Sequence, residues 1–445
     1  MRLTTEEIAA ATGGRVFGPT VVVQGMSHDS RRVQPGQLFV ALRGARDGNE
    51  FVQDAFRGGA AAYLTESEPV GDGASFPCVR VTDALAAIGA LAVSVRARVG
   101  RVIAITGSVG KTTTKDLASA VLASRYQTHA SPESFNNAIG VPHTFLNAPD
   151  GTEMLVVEVG ANAPGEIRDL CRIARPDVGI VTRVAPAHTE GFGSLAAVQA
   201  AKAELVESLP AAGVAILNGD DPLVAAMAGR TEATVMVFGR HGDVRAELLD
   251  VDGELRPRLR FATPWGDFEV RLAVRGAHQA VNAAAAVTAG GLHGVPLEEI
   301  QRALATANAS GRRMDLQIGR GGLRVLDDSY NANPASVEAA LRALVTMPAR
   351  RRVAVLGHMA ELGDLEAEEH HRIGELTREL GVEALSVQAP AYGVADFGSV
   401  EQVIGVVADL GDGDVILVKG SRVAGLDSLA ARLRDDATLP SSTAH

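Results

Sequence analysis

One stretch constrains this chain more than any other: residues 101 to 117, "RVIAITGSVGKTTTKDL". Arg101 to Thr106 are mostly apolar and β-branched, which suits a buried strand, and Gly107, Ser108, Val109 and Gly110 then interrupt it. A helix with Lys111 in its first turn is expected to follow. Strand, glycine-containing loop and helix in that order surround a phosphate with backbone N–H groups and a helix N-terminus. A lysine and a hydroxyl then reach the terminal phosphate and its divalent cation. Lys111 and Thr112 are the residues for those two tasks, with Thr113 beside them. The pattern is a shortened GxxGKT form, because Ile105 stands where a full phosphate-loop signature has its first glycine.

At 445 residues the chain is too long for one ordinary core, and at ~150 residues per domain it suggests about three. A hydrophobic content of 46% with 21% charged residues describes a folded globular protein, and the net charge of −11 argues against a general nucleic-acid binder. Cys78 and Cys171 lie far apart without metal-ligand spacing, so neither a disulfide framework nor a zinc site is indicated and a reducing compartment fits. The opening "MRLTTEEIAAATGG" lacks the basic start and apolar core of a signal peptide, and no apolar run approaches the ~18 residues that span a bilayer. A cytoplasmic protein without membrane insertion, working as a monomer, is the expectation.

The rhythm of the chain implies an α/β protein of three domains. Residues 1–98 mix short strands with helices. Over 99–309 the apolar runs "MLVVEVG", "VGIVTRV" and "VAILNGDD" alternate with amphipathic helices, which predicts a doubly wound parallel sheet. A second α/β series fills 310–445, with "LRVLDDSYNANP", "RRVAVLGHMAELGD" and "DVILVKGSR" as its strand ends. No GxGxxG fingerprint supports a nicotinamide or flavin reading. Ligands of open α/β sheets gather beyond the carboxyl ends of the strands, so Lys111, Thr112, Glu158 and His188 become neighbours in principle, a set able to hold divalent metal around a triphosphate.

"GSLAAVQAAKAELVESL" reads as a helix capped by Ser194, with Leu195, Val198, Leu205 and Leu209 on one face. Lys202 falls in that stripe. Burial disfavours the charged form of a lysine and leaves a nucleophilic neutral amine, which captures CO₂ as a carbamate and so becomes an oxygen ligand for a second Mg²⁺. The alternative is an ammonium that snorkels outward along its packed stem.

Taken together, "SHDSRRVQPGQLFVALRG", "DGNEF", "ITGSVGKTT", "SFNNAIGVP", "EVGAN", "AHTEGFGS", "AAKAE", "NGDD", "GAHQAVNAAAA", "GRRMD", "LDDSYNANPASVEAAL", "GHMAELGD" and "VKGSR" resemble the Mur ligase family along nearly the whole chain. "LDDSYNANP", "MAELGD" and "VKGSR" are most similar to the family members that add D-alanyl-D-alanine to UDP-N-acetylmuramoyl-tripeptide. That resemblance implies an ATP-dependent amide ligation through an acyl phosphate in peptidoglycan synthesis. It implies an N-terminal nucleotide-sugar domain, a central ATPase domain and a C-terminal Rossmann-like domain that binds the acceptor dipeptide. ATP would lie on Gly107 to Thr113, with Asn282 facing adenine, Arg313 on phosphate and Asp328 on the ribose. Thr112 and Glu158 would hold one Mg²⁺, and His188 with carbamylated Lys202 a second. Ser27, Asp29, Ser30, Arg31 and Arg43 would bind the uridine diphosphate sugar, and Asn137 and Asn331 would lie near the peptide or phosphates. Lys419 and Ser421 would approach the acyl phosphate from the third domain. The chain departs from the usual pattern at Arg183, Pro186 and His358. Competing readings are another ligase of the superfamily, adding an amino acid to an earlier muramoyl peptide or glutamate to a folate, and a P-loop protein that binds nucleotide without ligation.

Overall fold

The computed structural model describes residues 1–70, 75–186 and 189–434. His188, singled out above as a metal ligand, lies outside the described residues. Three α/β units follow one another along the chain. In the first, a five-stranded sheet runs in the order Arg15–Phe17, Cys78–Arg80, Ala62–Thr65, Leu38–Val40 and Met26–Ser27, parallel apart from its Arg15–Phe17 edge.

The central unit is built on a six-stranded, all-parallel sheet in the order Thr234–Phe238, Val214–Asn218, Val178–Val181, Arg101–Thr106, Met154–Glu158 and Thr128–Ala130. Successive residues of the Arg101–Thr106 strand feed opposite faces: Val102 and Ala104 enter one hydrophobic cluster, Ile103 and Ile105 the other. A strand buried on both faces reads as an unbroken apolar run, and this is why the sequence exposed it. The chain crosses over this strand between Met154–Glu158 and Val178–Val181, so the sheet order reverses there and opens a crevice at the carboxyl ends.

Two features depart from simple expectation. Inside the span read as strand and helix alternation sits a three-stranded antiparallel sheet, Arg245–Val251, Pro257–Thr263 and Gly266–Arg271. Its signature was present: Pro257, Leu259 and Phe261 are buried while Arg258 and Arg260 are exposed, a period of two. The second is that the first and central units share one core. Ile8, Val40, Ile88 and Leu91 belong to the same buried cluster as Val102 and Leu155, and helix Ala84–Val95 packs against helices Gly140–Asn147 and Glu166–Ala174.

The third unit keeps its own interior. Its sheet runs Asp315–Ile318, Arg324–Asp327, Val415–Lys419, Arg352–Gly357, Glu383–Val387 and Ala395–Phe397, with only the first strand antiparallel. Leu326 and Leu356 face one cluster and Val325 and Val355 another. Among the described residues of the central unit, only Leu255 and Val251, on the small antiparallel sheet and its turn, join that interior. Calorimetry should therefore resolve two unfolding transitions, one for the fused first and central units and one for the third. Leu91→Ala, costing about 2–5 kcal/mol, should shift the first alone, and Leu326→Ala the second alone.

Candidate active site

The phosphate loop is shaped by two glycines that tolerate no side chain. Gly107 has φ +145° and Gly110 has φ +88°, conformations open to glycine alone among unstrained residues. A Cβ at Gly107 would strike Thr182 Oγ1, and one at Gly110 would strike Asn282 Oδ1. Helix Lys111–Ala123 begins at once, with Gly110 as its N-cap, so its first N–H groups point into the crevice. Neighbouring strands hold the loop: Ser108 N–H donates to the Arg183 carbonyl at 2.7 Å, Ser108 Oγ to the Ala185 carbonyl at 2.9 Å, and Thr182 Oγ1 to the Val109 carbonyl at 2.6 Å.

Around Lys111 and Thr112 the side chains converge. Lys111 Nζ donates to the Gly107 carbonyl at 2.7 Å, and burial lowers its pKa despite the opposing charge of Glu158. Thr112 Oγ1 donates to Glu158 Oε2 at 2.8 Å, and the other carboxylate oxygen accepts from Asn136 Nδ2 at 2.8 Å. Glu158 is buried at the end of its strand. Hydroxyl and carboxylate oxygens in this pairing are the donor set that a hard cation such as Mg²⁺ takes, so these residues fit one.

The third unit completes the opposite wall of a cleft of about 860 Å³. Arg313 stacks its guanidinium 3.9 Å from the centre of the Tyr330 ring and donates to Ser134 Oγ at 2.9 Å and Thr112 Oγ1 at 3.2 Å. Deeper in that wall, buried Lys419 Nζ pairs with Asp328 Oδ2 and donates to the Asn331 carbonyl at 3.0 Å. Asp328 Oδ1 also accepts from Met314 N–H at 3.1 Å. Ser421 Oγ is buried and has no hydrogen-bond partner among the described residues.

Three family models match in series: Mur ligase family catalytic domain over residues 22–103, Mur ligase middle domain over 105–290, and the Mur ligase glutamate ligase domain over 312–422. The chain belongs to the Mur ligase family. It is 38% identical to a UDP-N-acetylmuramoyl-tripeptide–D-alanyl-D-alanine ligase of Mycobacterium tuberculosis, over 98% of this chain and 99% of the relative. With the ligase of the same description from Escherichia coli it shares 34% identity over 98% of this chain and 99% of the relative. Its fold is similar to a solved MurF from Acinetobacter baumannii, with a TM-score of 0.86 at 30% identity, covering 97% of this chain and 99% of that one. A MurF ligase from Thermotoga maritima in complex with ADP superposes with a TM-score of 0.79 at 28% identity, covering 92% and 96%.

Of the residues singled out from this Mur ligase's sequence, the cleft gathers Ser108 to Thr113, Asn137, Glu158, Asn282, Arg313, Asp328, Asn331, Lys419 and Ser421. Asn282 sits against the loop, bonded to Thr114 Oγ1 at 3.2 Å and held by Gln279 at 2.7 Å. Asn137 accepts from Ile139 and Gly140 N–H, at 3.1 and 2.9 Å, and so shapes the start of helix Gly140–Asn147. Its neighbour Asn136 and Ser134 make the direct contacts to Glu158 and Thr112. The sequence reading missed both, although Asn136 stands in the same "SFNN" stretch. Ser27, Asp29, Ser30, Arg31 and Arg43 do not line this cleft. Ser27 ends the Met26–Ser27 strand, Asp29, Ser30 and Arg31 follow it, and Arg43 follows the neighbouring Leu38–Val40 strand and bonds Ser67 at 2.9 Å; Asp29 forms a two-bond pair with Arg31 at 2.9 and 2.7 Å that holds its carboxyl down at about 2.

Two sequence departures prove to be carried by backbone. The Arg183 carbonyl anchors the loop, and the His358 carbonyl accepts from Ser421 N–H at 3.0 Å, so neither contact depends on the side chain.

Lys202 is buried in helix Leu195–Glu207, whose N-cap is Ser194, and does not snorkel to solvent. Val198, Leu205 and Leu209 share its buried side, whereas Leu195 in the first turn is 38% exposed. The ammonium lies 5.6 Å from the centre of the Phe192 ring. Burial, aided by the charge of Lys111, brings its pKa down to about 7 against the opposing pull of Glu204 and Glu166. An unfolded chain keeps that proton to about 10.5, so between those values the unfolded state binds more protons and stability rises with pH. In CO₂-free buffer the parent should gain stability relative to Lys202→Met from about pH 7 upward, at a slope approaching about 1.4 kcal/mol per pH unit. Chemical denaturation of both proteins across that range checks it.

Proposed function

We propose that this Mur ligase joins D-alanyl-D-alanine to UDP-N-acetylmuramoyl-tripeptide at the expense of ATP, releasing ADP and phosphate, in peptidoglycan synthesis. The observation that carries the reading is one cleft in which a phosphate loop, the Thr112–Glu158 pair, Arg313 and the Asp328–Lys419 pair face one another, in a chain matched end to end by ligases of that description. The ADP complex of the Thermotoga relative supports nucleotide binding.

In the reaction an oxygen of the tripeptide carboxylate attacks the γ-phosphorus of ATP and ADP departs. The amino group of the dipeptide, having lost its proton, adds to the acyl carbon, and inorganic phosphate leaves with that oxygen. The loop N–H groups and Lys111 hold the β- and γ-phosphates, and Arg313 takes the γ-phosphoryl charge from the other wall. Mg²⁺ held by Thr112 and Glu158 supplies further neutralisation of phosphate charge when bound. Asn282 lies toward the adenine, and Asp328, steadied by Lys419, toward the ribose. Neutral Lys202 adds its nitrogen to CO₂ and sheds a proton, giving a carbamate whose oxygens, with His188, suit a second Mg²⁺. The Ser27 to Arg31 turn and Arg43 hold the uridine diphosphate sugar, and Asn331 and Ser421 border the acceptor. Bringing two anions together and neutralising them is the main catalytic task of such a site.

Phosphate release measured with ATP, the nucleotide-sugar tripeptide and single acceptors decides the assignment. Turnover should require D-alanyl-D-alanine, and turnover with glutamate and a folate, or with an amino acid and an earlier muramoyl peptide, would replace this reading. Lys111→Ala should lose activity by about 10²-fold or more while keeping its fold. Lys202→Ala should lose most turnover and regain part of it with short carboxylic acids, and carbon-13 bicarbonate should label the parent lysine but not this variant.

A further inference from the structure

Ser421, Arg422 and Val423 follow strand Val415–Lys419 and line the cleft from the third unit. Backbone contacts hold their turn in place: Ser421 N–H donates to the His358 carbonyl at 3.0 Å and Ala424 N–H to the Ser421 carbonyl at 2.9 Å. Ala424 packs so closely on the neighbouring strand end that a Cβ at Gly357 would lie 2.7 Å from its own. The polar side chains of this fixed turn are nevertheless unused. Ser421 is 2% exposed, yet its Oγ has no partner among the described residues and makes no cap bond to the short helix Arg422–Ala424. A buried hydroxyl left unpaired is destabilising, a cost that a ligand oxygen accepting from it would remove. Arg422 is exposed, and its guanidinium forms no ion pair or hydrogen bond among the described residues. Val423 is 79% exposed, an apolar side chain at the cleft rim.

The neighbouring cations of the third unit are engaged. Lys419 pairs with Asp328 and Arg312 with Asp427, while Arg313 lies on Tyr330 with its donors on Ser134 and Thr112. Arg183 and Arg240 form no ion pair among the described residues either, but they stand on the central wall, after strands Val178–Val181 and Thr234–Phe238.

We propose that Ser421 and Arg422 form the subsite for the terminal carboxylate of the acceptor, with Val423 against the methyl group beside it. The proposal rests on the ligase reading, in which the acceptor's amino end meets the acyl carbon near Lys111 and Arg313. A dipeptide spans at most ~7 Å, so its other end stays within the cleft and brings a full negative charge there. That charge needs a cation not already given to phosphate. A guanidinium offers a carboxylate two parallel N–H donors, and the Ser421 hydroxyl adds a third. Arg422 is then a specificity-determining residue, because an acceptor with a neutral end leaves it unpaired.

Phosphate release with D-alanyl-D-alanine and with its C-terminal amide as acceptors tests this. The parent should prefer the acid by about 10²-fold in kcat/KM. Arg422→Gln should raise KM for the acid by about 30-fold and lose that preference, with KM for ATP held within about twofold. Added guanidinium ion should restore part of the acid's advantage to Arg422→Ala. Val423→Asp should penalise the acid and spare the amide, since only the acid is repelled. Ser421→Ala should raise KM for the acid by about fivefold without lowering Tm, because the hydroxyl it removes is unpaired in the free protein. Parental preference for the acid in Arg422→Gln would overturn the subsite, as would loss of that preference in Arg183→Gln instead. A parent that releases no phosphate with D-alanyl-D-alanine would reject the ligase reading and this subsite with it, whereas an active parent with unaltered variants would reject the subsite alone.

Discussion

The turn from Thr106 to Lys111 is the constraint to which the rest of the cleft is referred. A strand buried on both faces must deliver its chain end beside two neighbouring strand ends, and positive φ at Gly107 and Gly110 reverses direction within that space. The close approach of Thr182 and Asn282 leaves no room for any side chain there. Because the N–H and hydroxyl of Ser108 fix the turn to the backbone of residues 183 and 185, helix Lys111–Ala123 starts in one orientation. That orientation sets the direction of Lys111 and the reach of Thr112 to Glu158.

Charge explains why the site spans two units. A triphosphate beside a carboxylate concentrates negative charge in a place from which much of the water is removed, where each uncompensated charge is costly. The central unit supplies Lys111, and the third supplies Arg313 across the cleft and Lys419 in its own wall. The cations that line the cleft are thus divided between the two units. The shared core of the first two units keeps the Ser27 to Arg31 turn and the phosphate loop in fixed relation. The third keeps a largely separate core.

Much of this was legible in the sequence where a residue's type and its place agree. The phosphate loop, Glu158 at a strand end and the α/β class follow from apolar runs interrupted by glycine. Lys202 was readable as a stripe position, and the stripe was right from Val198 onward. Leu195, on the same face, is exposed, because helical periodicity gives a face and not what covers each turn of it. The antiparallel sheet at 245–271 was overlooked because its alternating pattern lies inside a long parallel series. Asn136 and Ser134 were missed because which of several adjacent polar loop residues turns inward depends on backbone direction, which composition does not encode. The fused core of the first two units is likewise a property of packing between distant segments.

The acyl phosphate is the step on which the account turns, and oxygen-18 in the tripeptide's terminal carboxylate tests it most directly. Turnover with ATP and D-alanyl-D-alanine should move one labelled oxygen into each phosphate released, because the carboxylate oxygen that attacks phosphorus leaves with it. Phosphate released without label, while the amide product forms at the normal rate, would contradict carboxylate activation by this loop.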